Sequence, residues 1–182
     1  NNVYMIDFDG LKDLRSSQAR KRRKMSLVTE EIRAKAEIFR GDEMCKQKTK
    51  EFLKEMGLPN GLLPMRDIEE CGRVIETGFV WVKQKKNTTH KFEKIGKVVS
   101  YAQEVTSVVG PNKIKKLTGV KSKELLIWVT LSDIYMESPT SSSIIFQTPA
   151  GLRRSFPVSA FTVEEPAKVL TSHDGDAQLN EI

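Results

Sequence analysis

The segment Glu124-Leu-Leu-Ile-Trp-Val-Thr-Leu-Ser-Asp-Ile-Tyr-Met136 carries the strongest indication of the fold. It is too polar to span a membrane, and its β-branched residues disfavour a helix. It lies in a run from Thr77 to Phe161 in which apolar residues recur with a period of two between turn residues. This pattern predicts consecutive antiparallel strands with one face packed against an apolar layer.

Eight strands follow from this alternation and from the turn residues between them. We place them at Ile68–Val74, Gly78–Gln84, Thr89–Lys94, Val98–Val109, Lys113–Leu117, Glu124–Met136, Ser143–Thr148 and Arg153–Phe156. Thr118-Gly119 is predicted to be the turn before the strand that begins at Glu124.

The chain before the strands has a helical pattern. Thr29 is a predicted N-cap, and Asp42 is predicted to cap a second helix that Gly57 ends. The second helix carries Phe52 and Leu53, and burial of each would contribute about 1.5–3 kcal/mol. We therefore expect this helix to dock on the sheet.

Two strands are apolar on both faces. Phe79 and Trp81 alternate with two valines, and the run from Leu125 to Val129 is apolar at every position. Such strands are predicted to be covered on both sides, in a layered or closed structure or around a ligand.

The charge is unevenly distributed. The chain of 182 residues has a net charge of +6, and Lys83 to Lys123 holds eleven Lys, no Arg and two Glu. Lysine is a hydrated point charge, whereas Arg is preferred for bidentate recognition of phosphates and bases. The pattern favours solvated hairpin ends, with an anionic membrane surface as the alternative partner, and it disfavours nucleic acid.

The domain organisation is predicted from composition. Residues 1–24 are expected to be a leader or tag-like basic segment outside the fold, residues 25–165 a single domain, and residues 166–182 a flexible acidic tail. The run Arg20-Lys-Arg-Arg-Lys24 has a nuclear-localisation or polyanion-binding tract as its alternative interpretation. Cys45 and Cys71 lack metal-type spacing and favour reduced intracellular thiols, although a single disulfide stays open. We expect an intracellular, cytoplasmic monomer with no transmembrane segment and no signal peptide, and peripheral membrane association is the alternative.

Several blocks resemble a plant family known as domain of unknown function 538. They are Met25 to Lys35, Leu58-Pro-Asn-Gly-Leu-Leu-Pro64, Lys113 to Val120, Lys123 to Val129 and Ser155-Phe-Pro-Val-Ser-Ala-Phe161. The resemblance covers roughly residues 25–165 and is strongest to the subgroup of the trichome protein called "smaller with variable branches".

The resemblance implies an α+β fold. It implies a strongly curved antiparallel β-sheet packed around an N-terminal helix, as in the bactericidal/permeability-increasing protein fold, whose members carry lipids. It also implies links to stress responses and, for some relatives, action on chlorophyll or similar esters. A likeness of fold does not establish an activity, so no catalytic residue is carried over.

Catalytic candidates are sparse. His90 is the only histidine within residues 25–165, and a Ser100–His90–Asp133 arrangement is the one conceivable hydrolytic set. The alternative is a structural histidine near the sheet. No Gly-x-Ser-x-Gly elbow and no metal-ligand cluster is present in the sequence, so we expect neither a metal nor a cofactor.

Aromatic residues supply the candidates for ligand binding. Trp81, Trp128 and Phe52 could line an apolar cavity, and ordinary core packing is the alternative. The leading hypothesis is a non-enzymatic binding module for a hydrophobic or lipid-like molecule. The alternatives are an esterase for hydrophobic esters and a regulatory domain that binds another protein.

Overall fold

The structure is a computed structural model that describes residues 26–165. It contains two α-helices, α1 (Glu30–Ala34) and α2 (Asp42–Glu55), and ten strands. The strands are β1 (Glu37–Arg40), β2 (Ile68–Val74), β3 (Phe79–Gln84), β4 (Thr88–Phe92), β5 (Lys97–Gly110), β6 (Lys113–Glu124), β7 (Ile127–Thr130), β8 (Asp133–Tyr135), β9 (Ser143–Gln147) and β10 (Arg153–Pro157). Two short 3-10 helices span Glu93–Ile95 and Val158–Phe161.

All ten strands belong to one antiparallel sheet. Its order is β1-β2-β3-β5-β6-β8-β9-β10, with β4 paired to β5 and β7 paired to β6. The two longest strands, β5 and β6, form the centre and pair along most of their length. The predicted antiparallel sheet is therefore confirmed, and each strand pairs with the next one along the chain except at β3–β4 and β7–β8.

The predicted fold class is wrong. The sheet is open, because β1 and β10 lie at its two ends and do not pair with each other among the described residues. Helix α2 packs mainly on β1 and β2, at one end of the sheet. A helix of 14 residues is about 21 Å long. Eight neighbouring strands spaced about 4.8 Å apart span about 34 Å, so one short helix cannot form the axis of this sheet.

The strand predicted from Glu124 to Met136 is also corrected. Strand β6 continues through the predicted turn at Thr118-Gly119 and reaches Glu124. Gly119 has a φ of 79°, and the register between β5 and β6 shifts nearby, so the irregularity is absorbed within the strand pair. The chain turns at Leu125 and Leu126 instead, and these side chains are exposed rather than covered on both sides.

The core lies on one face of the sheet. Leu53 of α2 and Leu58, Leu62 and Met65 of the following connector pack against strand residues there. Tyr101 is buried on this face and donates its hydroxyl hydrogen bond to the Leu62 carbonyl at 3.0 Å. The prediction that Phe52 and Leu53 are buried is confirmed, since both are less than a tenth exposed.

The two cysteines lie between α2 and β2. Both are buried free thiols, and the Cys71 thiol contacts the Cys45 carbonyl oxygen at 4.0 Å. Burial raises the pKa of each thiol. A disulfide, left open by the sequence, is absent from this structure. The predicted leader at residues 1–24 and the predicted acidic tail at residues 166–182 lie outside the described residues.

Candidate ligand-binding pocket

A pocket lies where two hairpins separate. Ser132 donates a backbone hydrogen bond to the Gln147 carbonyl at 2.9 Å, which continues the pairing of β8 with β9. Beyond this point β7 pairs with β6, whereas the chain after β9 turns into β10. The gap between the β6–β7 hairpin and the β9–β10 hairpin is not closed by backbone hydrogen bonds among the described residues.

The pocket has a volume of about 250 Å³ and a mainly apolar lining. The lining comes from both hairpins, from the start of β5 and from the two 3-10 helices. Its residues are Phe92, Ile95, Lys97, Val99, Ser122, Glu124, Ile127, Val129, Leu131, Phe146, Thr148, Leu152, Arg154, Phe156 and Phe161.

Aromatic rings form the base of the pocket. The Phe161 ring centroid lies 4.8 Å from that of Phe92 and 5.0 Å from that of Phe146. Phe146 in turn meets Phe156 edge-on at 5.6 Å. These tilted and edge-on arrangements are favourable for aromatic pairs. They join β4 to the β9–β10 hairpin and give the pocket a fixed apolar floor.

Few polar groups reach this lining. Lys97 and Glu124 form an ion pair at 2.8 Å, and each side chain is about a quarter exposed. Arg154 is exposed and makes no ion pair with any residue from 26 to 165. An apolar cavity with a small number of polar groups is the usual composition of a site for a small organic molecule.

The mouth of the pocket is apolar too. Ile127 of β7 is 64% exposed, and Leu152 of the β9–β10 hairpin is 70% exposed. The two side chains come from opposite sides of the gap. A hydrophobic molecule would therefore meet apolar surface before it entered.

The structure does not bring the hydrolytic candidates together. His90 lies opposite Val99, and Ser100 lies opposite Thr89. Because opposite residues share a face and consecutive residues alternate, His90 and Ser100 point to different faces of the sheet. Asp133 accepts a hydrogen bond from the Ser132 hydroxyl at 2.7 Å. No hydrogen bond within residues 26–165 joins His90 to Ser100 or to Asp133.

His90 has an apolar environment. Its ring packs edge-on against Phe92, with the centroids 4.7 Å apart. Desolvation, with a smaller effect of the positive charge of Arg66, lowers the pKa of His90. The imidazole is therefore neutral at pH 7, and it does not line the pocket.

The three aromatic candidates for ligand binding lie elsewhere. Trp81 is fully buried, and its indole N–H donates to Glu70 Oε1 at 3.1 Å. Phe52 packs beneath the Arg73 guanidinium, which lies 4.3 Å from the ring centroid. Trp128 is exposed on β7, on the face opposite to the pocket, because it pairs with Lys123 while its neighbours Ile127 and Val129 line the cavity.

Sequence reasoning missed most of the lining. Phe146, Phe156 and Phe161 were assigned to strands or to their ends without a role, although they follow one another closely in the sequence. Their clustering depends on a contact between the two 3-10 helices, where the Lys94 ammonium donates to the Ser159 carbonyl at 2.9 Å. Of the lining residues, Val99 is adjacent in the sequence to the predicted residue Ser100, and Ile127 and Val129 are adjacent to the predicted residue Trp128.

Two kinds of site are not found in the described part of the chain. Between residues 26 and 165, no three His, Cys, Asp or Glu side chains are grouped so that they could hold a metal ion. In the same residues, no helix has both the length and the apolar composition needed to cross a bilayer.

The fold and the pocket define a protein with one open antiparallel sheet, a short helix at one end and an apolar cavity between hairpins at the other. The chain belongs to the family described as "Protein of unknown function, DUF538", whose model matches residues 49–162. This match covers more than half of the chain, including α2 from Thr49 onward and strands β2 to β10. No curated protein and no solved structure matches the chain.

Proposed function

We propose that this protein is a non-enzymatic binding module for a hydrophobic or lipid-like molecule that occupies the pocket between the β6–β7 and β9–β10 hairpins. The observation that carries the proposal is an apolar cavity of about 250 Å³ with an apolar mouth. For comparison, an engineered apolar cavity of about 150 Å³ in another protein stays dry and binds benzene.

The ligand is proposed to be amphipathic with an anionic end. The aromatic floor suits an acyl chain, because burial of apolar surface stabilises by about 25 cal/mol per Å². Arg154 lies at the pocket without an acidic partner among residues 26–165 and presents a charged fork that suits a carboxylate or phosphate. Lys97 is already paired to Glu124 and contributes less net charge.

The size of the cavity limits the ligand. Pockets for drug-sized molecules are commonly about 300–1,000 Å³, so this one suits part of an acyl chain or a single small ring system. A whole tetrapyrrole would not be enclosed. This argues for a simple lipid over a chlorophyll-like pigment.

The lining supports binding over hydrolysis. Among the described residues that line the pocket there is no histidine and no cysteine, and the two hydroxyl groups belong to Ser122 and Thr148. A hydroxyl nucleophile needs an adjacent base, and the nearest histidine in the sheet, His90, is not part of the lining.

Membership of the trichome-protein subgroup is also a proposal, and it is supported by the resemblance of the sequence blocks at residues 25–35, 58–64, 113–120, 123–129 and 155–161.

Dodecanoate is a suitable probe, measured by isothermal titration calorimetry with the full chain. Val129→Phe places extra volume in the cavity and is expected to weaken binding at least tenfold. Thr130→Phe is the matched control, because residue 130 is the next position on β7 and lies on the other face. Arg154→Gln is expected to weaken binding of dodecanoate about threefold and to leave binding of dodecanol unchanged.

The proposal is overturned if wild-type protein does not bind dodecanoate, or if Val129→Phe binds it as tightly as wild type. The thermal unfolding midpoint of each variant is recorded alongside, so that loss of binding is separated from loss of folding.

A further inference from the structure

The tip of the β6–β7 hairpin presents a continuous apolar surface to solvent. Leu125 and Leu126 are each 94% exposed, Ile127 is 64% exposed and Trp128 is 43% exposed. Single exposed apolar residues are normal on proteins, whereas four in succession at the end of a hairpin form a patch.

The backbone of this tip does not favour the residues it carries. Glu124 pairs with Ile127, so Leu125 and Leu126 form a two-residue hairpin loop. Such loops favour Gly, Asn or Asp where φ is positive, yet Leu125 has a φ of 53°. Leucine therefore lies in a conformation that costs free energy, and its side chain gains no burial in return.

Basic side chains lie directly behind the apolar tip. Lys121 and Lys123 are exposed on β6, on the same face as Trp128. Neither makes an ion pair with another residue of the described chain. Long lysine side chains can extend along an apolar layer and place their ammonium groups at a charged surface, and tryptophan is favoured at such boundaries.

The β9–β10 hairpin repeats this arrangement across the mouth of the pocket. Leu152 is exposed there, followed by Arg153 and Arg154, which are also exposed. Arg153 donates to the Gln147 side-chain oxygen at 3.0 Å and lacks an acidic partner within residues 26–165. The two hairpins thus combine exposed leucines at their ends with unpaired positive charge behind them.

We propose that the β6–β7 hairpin tip docks on the surface of an anionic phospholipid bilayer, with Leu125 and Leu126 inserted among the acyl chains. Lys121 and Lys123 then lie at the level of the headgroups, where anionic lipids attract basic side chains. The charge complementarity selects a bilayer over a purely apolar partner. Docking places the mouth of the pocket against the membrane, but it does not require that the pocket hold a ligand.

Vesicle co-sedimentation of the full chain tests the proposal. Vesicles of phosphatidylcholine with phosphatidylserine are compared with vesicles of phosphatidylcholine alone. The double variant Leu125→Ser and Leu126→Ser is expected to bind the anionic vesicles more than tenfold more weakly, because two buried leucines are lost. The matched control is Ile75→Ser, since Ile75 is 68% exposed in a different turn.

The charge is tested separately. Lys121→Gln with Lys123→Gln is expected to weaken binding to the anionic vesicles about thirtyfold. The control pair is Lys85→Gln with Lys86→Gln, which removes equal charge from another exposed turn. Residues Arg20 to Lys24 are unchanged in all variants, so their contribution is common to every measurement.

Fluorescence locates the contact. The chain has two tryptophans, and Trp81 is fully buried, so a change on binding reports Trp128. Emission is expected to shift to shorter wavelength on anionic vesicles. The proposal is overturned if wild type does not bind anionic vesicles, if the leucine variant binds them like wild type, or if both vesicle types bind equally.

The outcome is separable from that of the proposed function. Val129→Phe is expected to lose dodecanoate and to keep vesicle binding, whereas the leucine variant is expected to do the reverse. If another protein bound the hairpin tip and anionic vesicles did not, the bilayer would be refuted as the partner.

Discussion

Trp81 and Trp128 mark two ends of the sheet that are built in opposite ways. Trp81 is fully buried, and its N–H donates to Glu70, which also binds Arg33 of α1. Trp128 is exposed on β7, at an apolar hairpin tip whose opposite face lines the pocket. Both lie in short strands flanked by branched aliphatic residues, so their local sequences do not explain the difference.

The end of the sheet around Trp81, which we call the closed end, is held together by polar contacts. Arg33 of α1 binds Glu70 through two hydrogen bonds of 2.6 and 2.8 Å, and Glu70 also receives the Trp81 N–H. Opposite Trp81, Gly72 provides space for the indole ring. Arg33, Glu70 and the Trp81 N–H thus satisfy one another, which is the condition for burial of polar groups without a large penalty.

The end of the sheet around Trp128, which we call the open end, has no comparable set of polar contacts over its apolar residues. Strand β7 has one neighbour among the described strands, and the residues at its tip contact solvent. This chain therefore covers its apolar surface where α1, α2 and the connector lie, and leaves apolar side chains exposed at the end that these segments do not reach. The uncovered end is therefore the place to look for binding partners.

The largest effect is expected from Gly72→Ala at the closed end. A Cβ atom at this position would lie 2.3 Å from the Trp81 ring, so the indole or the strand must shift. Overpacking of this kind costs about 3 kcal/mol in free energy of unfolding. The measurement is guanidinium denaturation, with Gly110→Ala as control, because a Cβ at residue 110 meets nothing within 4 Å. Equal stability of the two variants would contradict the tight closure around Trp81.

A smaller effect is expected from Glu70→Gln. The hydrogen-bonded Arg33 guanidinium lowers the pKa of Glu70 from 4.5 to about 2. Because the folded-state pKa is depressed, the stabilisation is present above pH 4.5 and is lost as the pH falls towards 2. Glu70→Gln should cost about 2 kcal/mol at pH 7 and little at pH 2.

The control for this prediction is Glu43→Gln, since the Glu43 side chain is 93% exposed and its pair with Lys46 is long at 3.7 Å. Exposed pairs of this kind contribute little. Denaturation curves recorded from pH 2 to pH 7 distinguish the two carboxylates. A Glu70→Gln penalty that did not change with pH would show that the ion pair is not its cause.

The smallest effect is expected from Leu125→Gly at the open end, and it has the opposite sign. Glycine adopts positive φ without steric cost, so this variant should gain about 0.5–1 kcal/mol in free energy of unfolding. The same variant should bind anionic vesicles more weakly, because one inserted leucine is lost. A loss of stability in the denaturation curve would mean that Leu125 makes contacts that its exposure does not reveal.

Local patterns predicted much of the sheet but not its arrangement. The strand from Ile68 to Val74 was placed at its observed bounds, because alternation and flanking turns are local signals. The run from Leu125 to Val129 was misread as a strand covered on both sides. Leu125 and Leu126 form a turn in which Leu125 has a positive φ, but the sequence there contains no Gly, Asn or Asp to indicate such a turn.

The candidate site could not be read from the sequence, because it is formed between distant segments. Phe92 and Phe161 meet only when β4 approaches the chain after β10, and no local pattern encodes that approach. Trp81 was a reasonable cavity candidate as an aromatic residue in an apolar strand, but the strand pattern does not separate a residue packed in the interior from one that lines a pocket. The sequence also did not show that the sheet is too wide for one short helix to cover, because the width depends on how many strands pair in a single sheet.

The most direct test is a map of backbone amide shifts in nitrogen–proton correlation spectra of the full chain during titration with dodecanoate. Saturable shifts are expected at pocket residues such as Val129, Phe146 and Thr148, with none at Cys71, Gly72 or Trp81 at the closed end. Shifts centred on Trp81, or no saturable shift anywhere, would contradict the account of an open binding end and a closed structural one.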